Sequence, residues 1–256
     1  MALTEFLKSI ADAIRAKKGT TETINAQDFA TEIANLPSGG GSDELFKAVM
    51  ERSATEFKSG SITKVGPYIF YGYTTLKSID FPNMTSIGVN AFYNCTAITS
   101  FIAPKLTQIG NYGLYNVSTL TSIDFPLITR IDTQALRQCR KITKAMFPKL
   151  TSLGTYALSR CNVLAVADLG LTTTIQTNCF AESSALKTII LRKTDSITTL
   201  GATNAFTSTP FATNGSGGTV YVPQALIEQY QTATNWVTLY ESGTCTFLPL
   251  EGSQYE

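Results

Sequence analysis

Between residues 65 and 191 the apolar positions of the chain recur every 22 residues. Each rung opens on an apolar residue followed by a small or polar one: Val65-Gly66, Ile87-Gly88, Ile109-Gly110, Ile131-Asp132, Leu153-Gly154 and Ile175-Gln176. Five residues after the opening stand Phe70, Phe92, Leu114, Leu136, Leu158 and Phe180. A next column holds Leu76, Ile98, Leu120, Ile142, Leu164 and Leu186. Two more run through Ile79, Phe101, Ile123, Ala145, Ala167 and Ile189, and through Phe81, Ala103, Phe125, Phe147, Leu169 and Leu191. No single rung can bury its apolar face, so the rungs must stack and share one core, which predicts a solenoid.

The spacing Leu120-x-x-Ile123-x-Phe125 puts alternate residues on one face of a strand, as in a leucine-rich repeat. One parallel sheet is expected, with strands near 77–81, 99–103, 121–125, 143–147, 165–169 and 187–191. Pro82, Pro104, Pro126 and Pro148 stop the strands, and segments such as 90–94 read as short helical turns closing the coil. The expected fold is thus an α/β solenoid, a right-handed leucine-rich-repeat coil of 22-residue rungs with a parallel sheet.

The ends of such a coil need covers. Ser42 can cap a helix over 43–53, and Phe57 and Ile62 extend the core columns backward, so the solenoid with its amino-terminal cap is assigned to 43–222. Residues 223–256 form the carboxy-terminal cap: Pro223 begins a helix, and Trp236 plugs the open end of the core. Before the solenoid, residues 1–37 read as a helical hairpin with apolar stripes at Leu3, Leu7, Ile10, Ile14, Phe29 and Ile33, followed by a Gly/Ser linker at 38–42. A hairpin that small seldom holds a core unaided. Its stripes are therefore expected to dock on another copy, on a larger assembly or on the solenoid, with an assembly anchor as the preferred reading.

Composition narrows the function. A net charge of +1 gives no electrostatic reason to expect nucleic acid. No apolar run reaches the roughly 20 residues of a membrane helix, and no secretory leader is expected. The chain has no histidine, which removes Ser-His-Asp and Cys-His nucleophiles and His-ligated metals. The five cysteines lack metal-ligand spacing. Cys95, Cys139 and Cys161 share a register with Tyr73, Val117 and Ser183, and read as small buried fillers with free thiols. No enzyme, cofactor or metal site is expected.

The motif Ile87-Gly-x-x-Ala-Phe-x-x-Cys-x-x-Ile-x-x-Phe-x-Ala-Pro104 resembles the BspA-type (Treponema-type) leucine-rich-repeat family, over residues 43–222. That resemblance implies a role like those of bacterial surface adhesins and host-contact proteins. The segment Leu7-x-x-Ile-Ala-Asp-Ala-Ile-Arg-x-Lys, and the cap motif Thr203-Asn-Ala-Phe with Tyr221-Val-Pro and Ala233-Thr-Asn-Trp236, are similar to tail- or baseplate-associated structural proteins of phages and prophages of Gram-positive bacteria. This second resemblance implies a virion component, anchored by its hairpin to tail proteins or to itself as a homo-oligomer, with a trimer as first guess. Its solenoid would face a host surface protein or glycan. The alternative is a bacterial adhesin or interaction module at the cell surface.

Two surfaces could carry such binding. Along the outward strand face runs the column Asp80, Ile102, Asp124, Met146, Asp168 and Ile190, alternating acid and apolar. The alternation either keeps aspartates off adjacent rungs, about 5 Å apart, or leaves apolar side chains facing water for a partner. The second surface is the column Tyr71, Tyr93, Tyr115 and Arg137, with Tyr68, Tyr112 and Tyr156 nearby. Tyrosines beside an arginine suit a contact surface or a sugar platform, and equally a simple stack over the coil.

Overall fold

The computed structural model describes Arg52 and residues 54–256. The hairpin expected over 1–37 and the linker at 38–42 lie outside those residues, as does the cap helix expected over 43–53 except for Arg52, which stands in a turn with φ 50°. From Glu56 the chain is a β-solenoid whose rungs return to register every 22 residues as far as Thr188–Ile190 and at longer, uneven spacings beyond, all strand pairs among the described residues being parallel. The expected first strand face is present as Glu56–Lys58, Ser78–Asp80, Ser100–Ile102, Lys144–Met146, Val166–Asp168 and Thr188–Ile190, continued by Gly218–Val222 and Cys245–Pro249. In-register pairs such as Ile79 with Phe101 and Ala145 with Ala167 stack the inward column.

Three features depart from the expectation. First, the coil has a second parallel sheet at the rung openings, formed by Lys64–Val65, Ser86–Ile87, Gln108–Ile109, Arg130–Ile131 and Ser152–Leu153, with Thr174–Ile175 pairing Thr199–Leu200. Threonines flank it: the Thr85, Thr107, Thr129 and Thr151 hydroxyls each donate to the carbonyl one rung below, at 2.9–3.1 Å.

Second, the stretch at 90–94 and its equivalents are successive tight turns, not helical turns. Two residues per rung have positive φ, as at Asn90 (55°) and Asn94 (58°), or Gln134 (57°) and Gln138 (63°), which no right-handed helix admits. The alternate N–H groups of this face donate to the next rung, as Phe92 N–H does to Gly113 O at 2.8 Å, so the turns form a third hydrogen-bonded ladder. The coil is therefore all-β, and among the described residues its helices are confined to the carboxy-terminal cap and the irregular rung before it.

Third, residues 121–125 form no strand, which divides the first face into a three-stranded and a five-stranded sheet. Ile123 and Phe125 still point inward and are buried. The neighbouring rung orders large and small residues differently. Phe101 brings a ring to a column that elsewhere holds Phe57, Ile79, Ile123, Ala145, Ala167 and Ile189, while Ala103 stands where Phe81, Phe125 and Phe147 stand. The Phe101 ring meets Phe125 edge-on at 6.0 Å and Phe92 at 5.1 Å, beside the rung where strand pairing lapses.

The core runs without interruption through the stack, with Leu76, Ile98, Leu120, Ile142, Leu164 and Leu186 fully buried. Glycine at the rung openings permits close approach: a Cβ on Gly88 would lie 2.7 Å from the backbone nitrogen of Pro67. At the carboxy-terminal end, α1 (Ile227–Thr232) and α2 (Trp236–Glu241) cover the last rung. Trp236 is fully buried against Phe206, Tyr230 and Phe247, and its indole N–H donates to Thr198 O at 2.8 Å, as the sequence predicts for a plug.

Candidate binding surfaces

The outward column of the first strand face is not one surface. Asp80 is part-buried and paired with Lys58 at 3.0 Å. Ile102 is 48% exposed, Asp124 is exposed and Met146 is half-buried. Asp168 and Ile190, expected to face solvent, are instead buried, at 1% and 0% exposure. Arg192, which stands where earlier rungs carry proline, pairs with Asp168 at 2.8 Å and donates to Tyr255 O at 2.7 Å. Tyr255 packs on Tyr221, the strand neighbour of Ile190, so the carboxy-terminal residues cross this end of the face. The early rungs keep an open face whose well-exposed apolar side chain is Ile102, and on the last strand Leu248, in the same column, is 39% exposed.

The tyrosine column holds together. Tyr71, Tyr93 and Tyr115 stack face to face, with ring centroids 4.9 and 4.6 Å apart and planes within 3–4°. Tyr68 leans on Tyr71, and Tyr112 lies between Tyr93 and Tyr115, at 5.9–6.4 Å. All five rings are half-buried. The positive-φ turns position them: the turn ladder repeats each Cα–Cβ direction from rung to rung, so like rings superpose. The Tyr93 phenol is pushed above its ordinary pKa of 10.0, first by burial and then by the neighbouring Tyr115, Tyr71 and Tyr112, so it keeps its proton.

Arg137 ends the column but does not stack on Tyr115; its guanidinium lies 5.0 Å over the Tyr156 ring. Two glutamines, which the sequence reading missed, tie the arginines to the tyrosines. Gln134 Nε2 donates to the Tyr112 hydroxyl at 2.9 Å, and Gln134 Oε1 accepts from Arg137 Nη1 at 2.7 Å. Gln138 Nε2 donates to the Tyr115 hydroxyl at 2.8 Å, and Gln138 Oε1 accepts from Arg140 Nη2 at 3.0 Å. Their signal in the sequence was slight: both occupy the positive-φ columns that elsewhere hold Asn, Tyr, Gly, Arg or Glu.

The cysteine column is buried as expected. The Sγ atoms of Cys95, Cys139 and Cys161 donate to carbonyls of the preceding rung, as the Ser183 hydroxyl does in the same register. All five cysteines are free, and burial pushes the Cys95, Cys139, Cys179 and Cys245 thiols up to about 12. Among the described residues no cluster of His, Cys, Asp or Glu could hold a metal, and no helix is long and apolar enough to cross a membrane. The assembly residues Leu3, Leu7, Ile10, Ile14, Phe29 and Ile33 lie outside the described residues.

This arrangement, three hydrogen-bonded ladders around an apolar core with ordered side-chain columns outside, is that of a leucine-rich-repeat solenoid. Residues 42–165 and 166–214 match the BspA type leucine rich repeat region in six copies, and the chain belongs to that family. Among solved structures, it is similar to a leucine rich repeat protein of T. pallidum, with a TM-score of 0.51 and 17% identity over 60% of this chain and 73% of that one. A leucine rich cell surface protein from Faecalibacterium prausnitzii aligns with a TM-score of 0.42 and 21% identity, over 68% of this chain and 63% of that one. The pneumococcal vaccine antigen PcpA aligns with a TM-score of 0.47 and 13% identity, over 77% of this chain and 41% of that one. The chain thus spans less than two thirds of the latter two proteins, and these likenesses concern the fold alone. No curated protein matches the chain.

Proposed function

We propose that this protein is a non-enzymatic binding module of the adhesin or interaction type, and that it binds through the turn face bearing the tyrosine column. The observation that carries this reading is the ordered stack Tyr71–Tyr93–Tyr115, continued through Gln134 and Gln138 to Arg137 and Arg140. Tyrosine and arginine are the side chains most enriched at binding hot spots, because they combine large contact area with directed donors. Here they are held on a ladder of inter-rung backbone hydrogen bonds, so little conformational entropy is lost when a ligand orders them. Membership of a repeat family whose resemblance implies surface contact supports the same reading. The tail-component expectation rests chiefly on residues 3–37, upstream of the family match, and draws no support from it.

The experiment is binding of the full chain to immobilised extracellular-matrix proteins and purified glycans, comparing Arg137→Gln with Ile102→Ser. Retention lost in Arg137→Gln and kept in Ile102→Ser is the expected result. The opposite pattern would move the site to the strand face, and no retention on any surface would contradict the binding role.

A further inference from the structure

We infer that the ligand of the turn face is an anionic sugar chain, recognised by a donor-only patch centred on Tyr112, Tyr115, Arg137 and Arg140; this rests on the binding-module reading above. The direction of the hydrogen bonds carries the inference. Each of the two phenol oxygens accepts from a glutamine amide, which leaves the Tyr112 O–H to donate outward, while the Tyr115 hydroxyl also hydrogen-bonds that of Tyr93. Each arginine gives an Nη to a glutamine carbonyl oxygen, a neutral acceptor. Among the described residues neither guanidinium has a carboxylate partner: Asp132 is taken by Arg130 at 2.6 Å and Glu182 by Arg160 at 3.0 Å. The patch therefore offers phenol and guanidinium donors and two unneutralised positive charges. An incoming carboxylate or sulfate satisfies both deficits.

A sugar chain fits this surface better than an acidic protein segment. Tyr93 spends both ring faces on its neighbours and Tyr115 spends one, at 4.6–4.9 Å, so hydroxyls and ring edges outweigh open aromatic face on this surface. None of the large exposed apolar side chains lies in the turn segments 110–118 or 132–140, so the apolar centre of a protein interface is missing. Beyond Arg140 the surface opens into a hollow of about 400 Å³ lined by Arg140, Arg160, Asn162 and Glu182, which extends the polar track along the coil. An extended polymer carrying an acceptor on every unit can follow such a track.

The test is calorimetric titration of the full chain with four probes: oligogalacturonate, dextran sulfate, a neutral galactan oligosaccharide and a polyglutamate peptide. Binding is expected for oligogalacturonate or dextran sulfate, whichever anion the patch prefers, and not for the neutral chain or the peptide. Arg137→Gln and Arg140→Gln should each weaken it roughly tenfold or more, the loss of a charged hydrogen bond. Arg140 is exposed, so its variant tests the patch without disturbing the core. Lys144→Gln removes the same charge from the strand face and should leave affinity unchanged. Equal binding of the neutral chain overturns the inference, as does an equal loss in Lys144→Gln. Polyglutamate binding as tight as the sugars assigns the patch to an acidic protein instead. If no probe binds but matrix retention still depends on Arg137, the sugar inference falls while the binding role stands.

Discussion

Cys139 and its column show how much a single side chain can report. Their register with Tyr73, Val117 and Ser183 was legible in the sequence, and burial of the whole column follows from it. The role of Gln134 and Gln138 was not legible. A column identifies which residues superpose, but not which amide oxygen meets which guanidinium across a turn. Burial of the thiols also has a consequence for stability. In the fold, burial holds four of them near 12, against 9.0 for a free thiol, so between those values the folded chain keeps protons that the unfolded chain has lost. Stability is fully present below pH 9 and declines as pH rises toward 12, by about 1.4 kcal/mol per pH unit for each such thiol. Urea unfolding at pH 8 and pH 10.5 checks this: a lower midpoint at pH 10.5 is expected. Thiol titration in denaturant without reductant should return all five cysteines.

At the scale of elements, the alternation of inward and outward residues was read correctly even at 121–125, where Ile123 and Phe125 are buried without a strand. Hydrophobic period fixes which way side chains point, whereas strand pairing depends on how neighbouring rungs fit, and pairing lapses beside the rung where Phe101 and Ala103 reverse the common order of large and small. The supposed helical turns failed for a related reason. Over five residues, the apolar spacing of a helix turn and of two consecutive tight turns is the same, and the positive φ at Asn90 and Asn94 decides between them. The gap in the ladder should be visible in solution. Amides of Ser122, Ile123 and Asp124 lack the inter-rung partners of their counterparts Val166, Ala167 and Asp168, so they should exchange with deuterium faster. Equal protection of the two rungs would show that the ladder is continuous. The paired change Phe101→Ile with Ala103→Phe restores the common order and should slow exchange at 121–125.

The whole molecule behaves as a stack in which each rung rests on its neighbours, so damage should spread through contacts rather than stay local. Leu120 is fully buried in the middle of the stack, and Leu120→Ala should cost about 2–5 kcal/mol, the range for truncating a buried leucine. At the far end, Arg192→Ala would leave Asp168 buried without its 2.8 Å partner and should cost about 3–5 kcal/mol. Thermal melts with calorimetry check both, and a loss below about 1 kcal/mol at either site would contradict the packing described. The carboxy-terminal cover was only half legible: Pro223 and Trp236 announced it, but the crossing of residues 250–256 over Asp168 and Ile190 left no periodic trace. That crossing shifts attention from the strand face to the turn face. The most direct measurement of the central claim is a tyrosine footprint. The full chain, captured on the glycan or matrix component that retains it, is acetylated with N-acetylimidazole and mapped by mass spectrometry against the free chain. Binding through the turn face predicts protection of Tyr112 and Tyr115 and unchanged labelling of Tyr240, which is 40% exposed on the cap. Protection of Tyr240 with Tyr112 and Tyr115 still labelled would contradict the account.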